Sequence, residues 1–173
     1  LTQAEVVAIF KKGKTELPQN YRPISLLNAM YKIYATLIQV RLAQVMEERI
    51  GKTQFGFRAA HSTAEALFVA RRLQDNAEAA GIPLCMVLLD WEKAFDKVEQ
   101  TRLLVALERL GVPEKIRNVI ANIYEDPKFR VKLDQDKSEY FKQEAGIRQG
   151  CPLSPYLFIM LMSVLVFDIK EKL

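Results

Sequence analysis

Between residues 30 and 46, apolar side chains recur at positions 30, 33, 37, 38, 42 and 45, a spacing of threes and fours that predicts one helix with a hydrophobic stripe. Arg41 and the charged residues 47–49 fall on or near its polar side. Upstream, NYRPISLL carries Pro23, which favours extended backbone ahead of that helix. A loop with Gly51 and Gly56 follows. Residues 62–65 then form a capping box, in which Ser62 and Glu65 satisfy each other's backbone donors and open a helix that runs to about Ala80 and stops at Gly81. The continuous apolar run 84–89 predicts a short strand buried on both faces, ending at Asp90. EQTRLLVALERLG predicts a helix stopped by Gly111, and Pro113 opens the next, to about Tyr124. Residues 129–133 and 140–144 predict a hairpin joined across DQDKS. Ser154 and Pro155 cap a last helix that is apolar all round and should be buried. Helices alternating with a few strands give an α+β class, with helices packed on a small, mostly antiparallel sheet.

The chain has 173 residues, half of them hydrophobic, enough for one sizeable core. Its net charge of +4 is unevenly spread: residues 1–60 hold nine Lys or Arg against four Glu, and the remainder carries a slight acidic excess. A polyanion would be held at the N-terminal third, although charge alone does not separate that reading from a solvated surface. Cys85 and Cys151 match neither a disulfide framework nor zinc spacing, which points to a reducing, intracellular compartment. The most apolar segment, 156–167, is shorter than the roughly 20 residues of a membrane span. No signal-peptide pattern, internal repeat, low-complexity stretch or linker is evident, and no membrane partner is expected.

Four segments carry a resemblance. NYRPISLLNAMYKI at 20–33, QFGFRAAHSTAEAL at 54–67, LLDWEKAFDKV at 88–98 and GIRQGCPLSP at 146–155 follow one another as in reverse transcriptases, and the chain resembles the non-LTR retrotransposon (LINE-type) branch of that family. The resemblance implies a right-hand polymerase fold, with a fingers region at 1–82 and a partial palm at 83–173. It implies an RNA-directed DNA polymerase using two Mg²⁺ ions, with Mn²⁺ as a substitute, an RNA template, a DNA primer or target DNA, and deoxynucleotides. In-line displacement at phosphorus accumulates charge on attacking and leaving oxygens, which such ions stabilise.

By the same resemblance Asp90 is the metal-binding carboxylate, with the Trp91 carbonyl as a second oxygen, since Mg²⁺ favours hard oxygen ligands. Read without the other motifs, Asp90 is an ordinary loop or capping aspartate. Asp96 is assigned to structure, as a turn or cap residue ahead of the helix that begins near residue 99. Phe95 stands where reverse transcriptases place an aromatic ring under the incoming sugar, and there it would exclude a 2′-hydroxyl; the alternative is core packing. The amides of Lys93 and Ala94 would reach the triphosphate. Arg22 is the match to a triphosphate-binding arginine, whose planar fork can engage phosphate in two hydrogen bonds. Lys12 and Lys14 are both candidates for its accompanying lysine. Arg58 would contact the template or order its loop, and His61 packs before the helix cap. In the Arg148–Gln149–Gly150 stretch, Gln149 would bond the nucleotide without adding charge, Gly150 would permit close backbone approach, and Arg148 would face template or primer.

The family's Ala-Asp-Asp strand, which supplies the remaining carboxylates, does not occur in this sequence, nor does a thumb. The expectation is therefore a fragment of fingers and first half of the palm, inactive alone. A group II intron maturase-like enzyme is a second reading, and a non-catalytic RNA-binding remnant of the fold is a third. Nuclear action follows from the LINE-type resemblance alone.

Overall fold

The computed structural model describes residues 3–172. Its sheet is built around β1 (Gln3–Phe10), a strand with no counterpart among the elements predicted from the sequence. β1 pairs antiparallel with β2 (Tyr21–Leu26), Ile9 opposite Arg22 and Val7 opposite Ile24, and pairs parallel on its other side with β3 (Lys128–Leu133). β4 (Asp136–Lys137) and β5 (Phe141–Lys142) both return antiparallel onto β3, completing a five-stranded mixed sheet among the described residues. The sheet thus draws strands from both sides of residue 82. The expected hairpin is present with a tighter turn than DQDKS: Leu133 pairs with Asp136, and Asp134 takes a positive φ of 51°. A surface network ties β1 to this hairpin, the Glu5 carboxylate accepting from Arg130 and, at 2.8 Å, from Lys137. Those bonds, Lys137's first, hold the Glu5 carboxyl down at about 2.

Five α-helices flank the sheet among the described residues: α1 (Ala29–Met46), α2 (Thr63–Ala79), α3 (Gln100–Arg109), α4 (Glu114–Ile123) and α5 (Ser154–Lys170). α1 starts where the Asn28 side chain accepts from the Met30 amide. Its buried stripe is Tyr31, Ala35, Ile38, Leu42 and Met46, which corrects the expected one: Met30, Ile33, Leu37 and Val45 face outward. Apolar residues line more than one side of α1, so spacing alone could not choose the face. The first three turns of α5 are buried as expected, and with α1, α3 and α4 they enclose the core around Leu42, Leu103, Leu107, Ile120, Leu157 and Met160. Its last turn is partly exposed, with Asp168 bonded by Arg109 of α3. No described helix is long and apolar enough to cross a membrane.

Two expectations fail between residues 61 and 90. The Ser62 hydroxyl does accept from the Glu65 amide, but the Glu65 carboxylate reaches His61 Nδ1 at 2.9 Å instead of closing the capping box. Residues 84–89 form no strand: they lack regular secondary structure and are exposed, Leu88 to 88%. A strand requires a partner to satisfy its backbone donors and acceptors, and none of the described strands pairs with this segment. No residue of α2 is buried either, so α2 and the run that follows present apolar side chains outward.

Candidate active site

Residues 146–150 join three of the four motif segments. On one side, the Gly146 amide donates to the Val98 carbonyl at 2.8 Å, the Ile147 amide to the Phe95 carbonyl at 2.9 Å, and Gln149 Nε2 to Asp96 Oδ1 at 2.9 Å. On the other side, the Ser25 amide of β2 donates to the Gln149 carbonyl at 2.7 Å. Both glycines are demanded by these approaches: a Cβ on Gly146 (φ +88°) would lie 2.9 Å from the Asp96 carbonyl oxygen, and one on Gly150 (φ +108°) 2.8 Å from that of Ser25. Side chains brace the loop from outside, Gln100 Nε2 and Gln143 Nε2 both donating to the Gly146 carbonyl at 3.2 and 3.0 Å. A small cavity of about 160 Å³ remains, lined by Pro23, Ser25, Asp96, Phe129, Gln143 and Gln149 among others.

Arg148 points the other way. It is 2% exposed, and its guanidinium carbon lies 5.4 Å from the centre of the Tyr31 ring, a cation–π arrangement. The expected contact of Arg148 with template or primer is therefore corrected: this cation supports the loop from the core. Beside it the Tyr31 hydroxyl is 3.5 Å from Cys151 Sγ. Burial first, and Cys151 second, push the Tyr31 phenol far above its ordinary range; burial does the same to Tyr124. Both therefore stay protonated.

The turn of residues 92–97 holds the expected nucleotide-side group. Lys93, at φ +52°, accepts at its carbonyl from the Asp96 and Lys97 amides at 3.0 and 3.1 Å. The amides of Lys93 and Ala94 find no backbone acceptor among the described residues, which leaves two adjacent donors at the edge of the turn. Phe95 is half-buried, stacked on Phe158 with centroids 5.2 Å apart and planes 23° apart, and met edge-on by Phe57 at 6.2 Å. That last contact brings in the fourth motif segment. Lys97 bonds Glu92 at 3.0 Å and lowers its carboxyl's affinity for protons.

Asp90 and Trp91 are exposed at the end of the irregular run 84–89, not at the tip of a strand. Asp90 has neither a cation nor a hydrogen-bond donor beside it among the described residues. Its carboxylate and the adjacent Trp91 carbonyl are hard oxygen donors that suit Mg²⁺, which is commonly held by one or two carboxylates with substrate phosphates and water. No group of three His, Cys, Asp or Glu able to hold a metal occurs among the described residues. Trp91 and Ala94 also border a groove of about 640 Å³ between α3 and α5, floored by Val105, Phe158 and Leu161.

The basic candidates lie at the tip of the β1–β2 hairpin. Its loop folds back on itself: the Lys11 amide donates to the Asn20 carbonyl at 2.8 Å, Asn20 Nδ2 to the Lys14 carbonyl at 2.7 Å, and the Tyr21 hydroxyl to the Thr15 carbonyl at 2.9 Å. Lys12, Lys14 and Arg22 are exposed there, with no acidic partner among the described residues. Arg58 is different: it bonds the Glu47 carboxylate through Nε and Nη2, both at 2.8 Å, and the Gly51 and Gln54 carbonyls through Nη1. Of its two expected roles, ordering the loop is the one this geometry supports. His61, paired with Glu65, also meets the Phe55 ring edge-on at 5.8 Å.

Three residues that hold the site together were not anticipated. Gln100 and Gln143 are ordinary polar positions in sequence, and their common acceptor, Gly146 O, gives no local signal. Glu47 accepts from Arg58 and, at 3.3 Å, from the Tyr156 hydroxyl, and its charge adds to burial in raising that phenol's affinity for its proton.

Comparison with known proteins supplies what the geometry leaves open. Residues 9–173 match the family model described as reverse transcriptase (RNA-dependent DNA polymerase). The chain is 35% identical over 162 residues to a probable RNA-directed DNA polymerase from transposon BS of Drosophila melanogaster, covering 90% of this chain and 17% of that protein. It is 34% identical over 168 residues to the RNA-directed DNA polymerase from mobile element jockey of the same species, covering 92% and 18%. With the transposon TX1 uncharacterized 149 kDa protein of Xenopus laevis it shares 31% identity over 163 residues, covering 94% and 12%. The chain thus spans less than a fifth of the length of each of these relatives.

Proposed function

The chain belongs to the reverse transcriptase (RNA-dependent DNA polymerase) family, and on that premise we propose that it forms the fingers and the first part of the palm of a non-LTR retrotransposon polymerase that copies RNA into DNA. The observation that carries this reading is the junction of β2 and the turn after Asp90 on one loop, residues 146–150, with the Phe57 segment meeting that turn at Phe95. The relatives' names support the retrotransposon origin.

In this proposal the fingers comprise residues 1–82 with the β3–β5 hairpin, because β1 and β3 share a sheet, and the remaining residues belong to the palm. Arg22, with Lys12 or Lys14, neutralises the triphosphate from the hairpin tip, and the amides of Lys93 and Ala94 meet it from the turn. Asp90 and the Trp91 carbonyl hold a divalent ion, Mg²⁺ or Mn²⁺, which when bound stabilises charge on the reacting oxygens. Phe95, fixed by Phe158, is the rigid surface that rejects a 2′-hydroxyl. Gln149 hydrogen-bonds the nucleotide, and Gly150 lets backbone and base pair approach. RNA template, DNA primer or target DNA and deoxynucleotides are the partners, and the nucleus is the site of action that this reading implies.

The test is RNA-templated primer extension by the full-length polymerase carrying this chain, with deoxynucleotides and Mg²⁺. Template-length DNA supports the reading. RNA binding without extension would instead support a non-catalytic remnant of the fold.

A further inference from the structure

The contact between Asp96 and Gln149 fixes more than the loop. A carboxylate oxygen can only accept a hydrogen bond, so the end of the Gln149 amide facing Asp96 Oδ1 at 2.9 Å must be the NH₂ group. The amide oxygen is thereby turned away from Asp96, and it carries no hydrogen bond among the described residues. A free glutamine could present either end to a ligand; this one is restricted to presenting an acceptor.

The surroundings keep it so. The Gln149 backbone is held by the Ser25 amide at 2.7 Å, so the side chain starts from a fixed point. Asp96 is equally fixed, its amide bonded to the Lys93 carbonyl at 3.0 Å and its own backbone packed under Gly146. Both side chains border the same small cavity, with Gln143 across it already committed to the Ala145 and Gly146 carbonyls.

We propose that Asp96 is a positioning residue: by accepting from Gln149 Nε2 it fixes the amide so that Gln149 Oε1 faces the bound nucleotide and selects a hydrogen-bond donor on it. This rests on the reading that Gln149 faces the nucleotide. Asp96 itself touches neither nucleotide nor metal, and its effect is exerted wholly through the orientation of one amide.

Asp96→Asn tests this directly, because an amide of the same shape can either donate or accept and so releases Gln149 to turn over. In the full-length polymerase, Asp96→Asn should raise the deoxynucleotide KM by roughly three- to tenfold, the loss of one neutral hydrogen bond, with kcat and Tm held near wild type. A swap tests the contact without any activity. Gln149→Glu alone sets carboxylate against carboxylate and should lower Tm, whereas Gln149→Glu combined with Asp96→Asn restores a donor and an acceptor and should recover it. An unchanged KM in Asp96→Asn overturns the proposal, as does a raised KM accompanied by matching losses of kcat and Tm, the signature of a merely structural tie. Melting effects that simply add in the double variant overturn the contact itself. A wild-type polymerase that extends no primer sinks the functional reading, and the positioning role with it, while the melting data still decide whether the contact exists.

Discussion

Gly150→Ala perturbs the joint between the Arg-Gln-Gly loop and β2 at its tightest point. The added Cβ would lie 2.8 Å from the Ser25 carbonyl oxygen, a backbone atom that cannot move aside alone, and φ at this position is +108°. A non-glycine residue held in such a region costs about 1–3 kcal/mol. Relief by separating the loop from the strand breaks the Ser25 amide bond to Gln149 O, present at 2.7 Å, worth about 0.5–1.5 kcal/mol. Together the loss should be about 2–4 kcal/mol, which for a chain of this size lowers Tm by about 5–15 °C. Thermal unfolding of the 173-residue chain, with hydrogen exchange at the Ser25 amide, measures both parts. Gly51→Ala is the control, since a Cβ there meets nothing within 4 Å and its φ is not positive. If Gly150→Ala melts within about a degree of Gly51→Ala and Ser25 keeps its protection, the docking of this loop on β2 is wrong, and the convergence of motif segments with it.

Phe95→Ala should relax discrimination against ribonucleotides while deoxynucleotide use persists; unchanged discrimination would leave Phe95 as the packing partner of Phe158 and nothing more. Arg22→Ala should raise the nucleotide KM far more than it weakens RNA binding, since an interaction with one substrate appears in that substrate's kinetics, and equal loss of RNA affinity would move Arg22 to the template. The Glu5 carboxyl, held down at about 2 by Lys137 and Arg130, makes a pH-dependent contribution: its stabilisation is complete above its unfolded value near 4.5 and is lost as pH falls from there toward 2. Thermal melts between pH 6 and pH 2 should therefore lose less on acidification in Glu5→Gln than in the wild type, and parallel curves would refute the coupling.

How far the sequence foretold this arrangement depended on whether the deciding interaction was local. Helix ends were legible because their causes are adjacent residues: Ser62 caps α2, and Gly81 and Gly111 follow α2 and α3 at positive φ. The family was legible for the same reason, each motif segment being a contiguous string. β1 was not: besides β2 it pairs with β3, which begins 125 residues after β1 does, a neighbour that no local stretch of sequence reveals. The buried face of α1 was misjudged because Tyr31 and Ala35, not Met30 and Ile33, meet the core, a choice set by packing against distant elements. For residues 84–89 the apolar run predicts a strand that the structure does not form, because composition cannot supply a ladder partner. Arg148 shows the same limit for charge: nothing in RQG distinguishes a cation offered to nucleic acid from one laid over a tyrosine ring.

In the proposed function the two aspartates of LLDWEKAFDKV have separate roles, Asp90 as the metal-binding carboxylate and Asp96 as a group that acts only through Gln149. The measurement is kcat for RNA-templated primer extension by the full-length polymerase at saturating deoxynucleotide and Mg²⁺, for Asp90→Asn and Asp96→Asn beside the wild type. Asp90→Asn should abolish extension, because a neutral amide replaces the one anionic oxygen ligand identified here for the ion, whereas Asp96→Asn should retain a kcat within about twofold, as expected when only uniform nucleotide binding is weakened. Sustained extension by Asp90→Asn, or its loss in Asp96→Asn, would contradict this division and place the metal carboxylate at Asp96 or elsewhere.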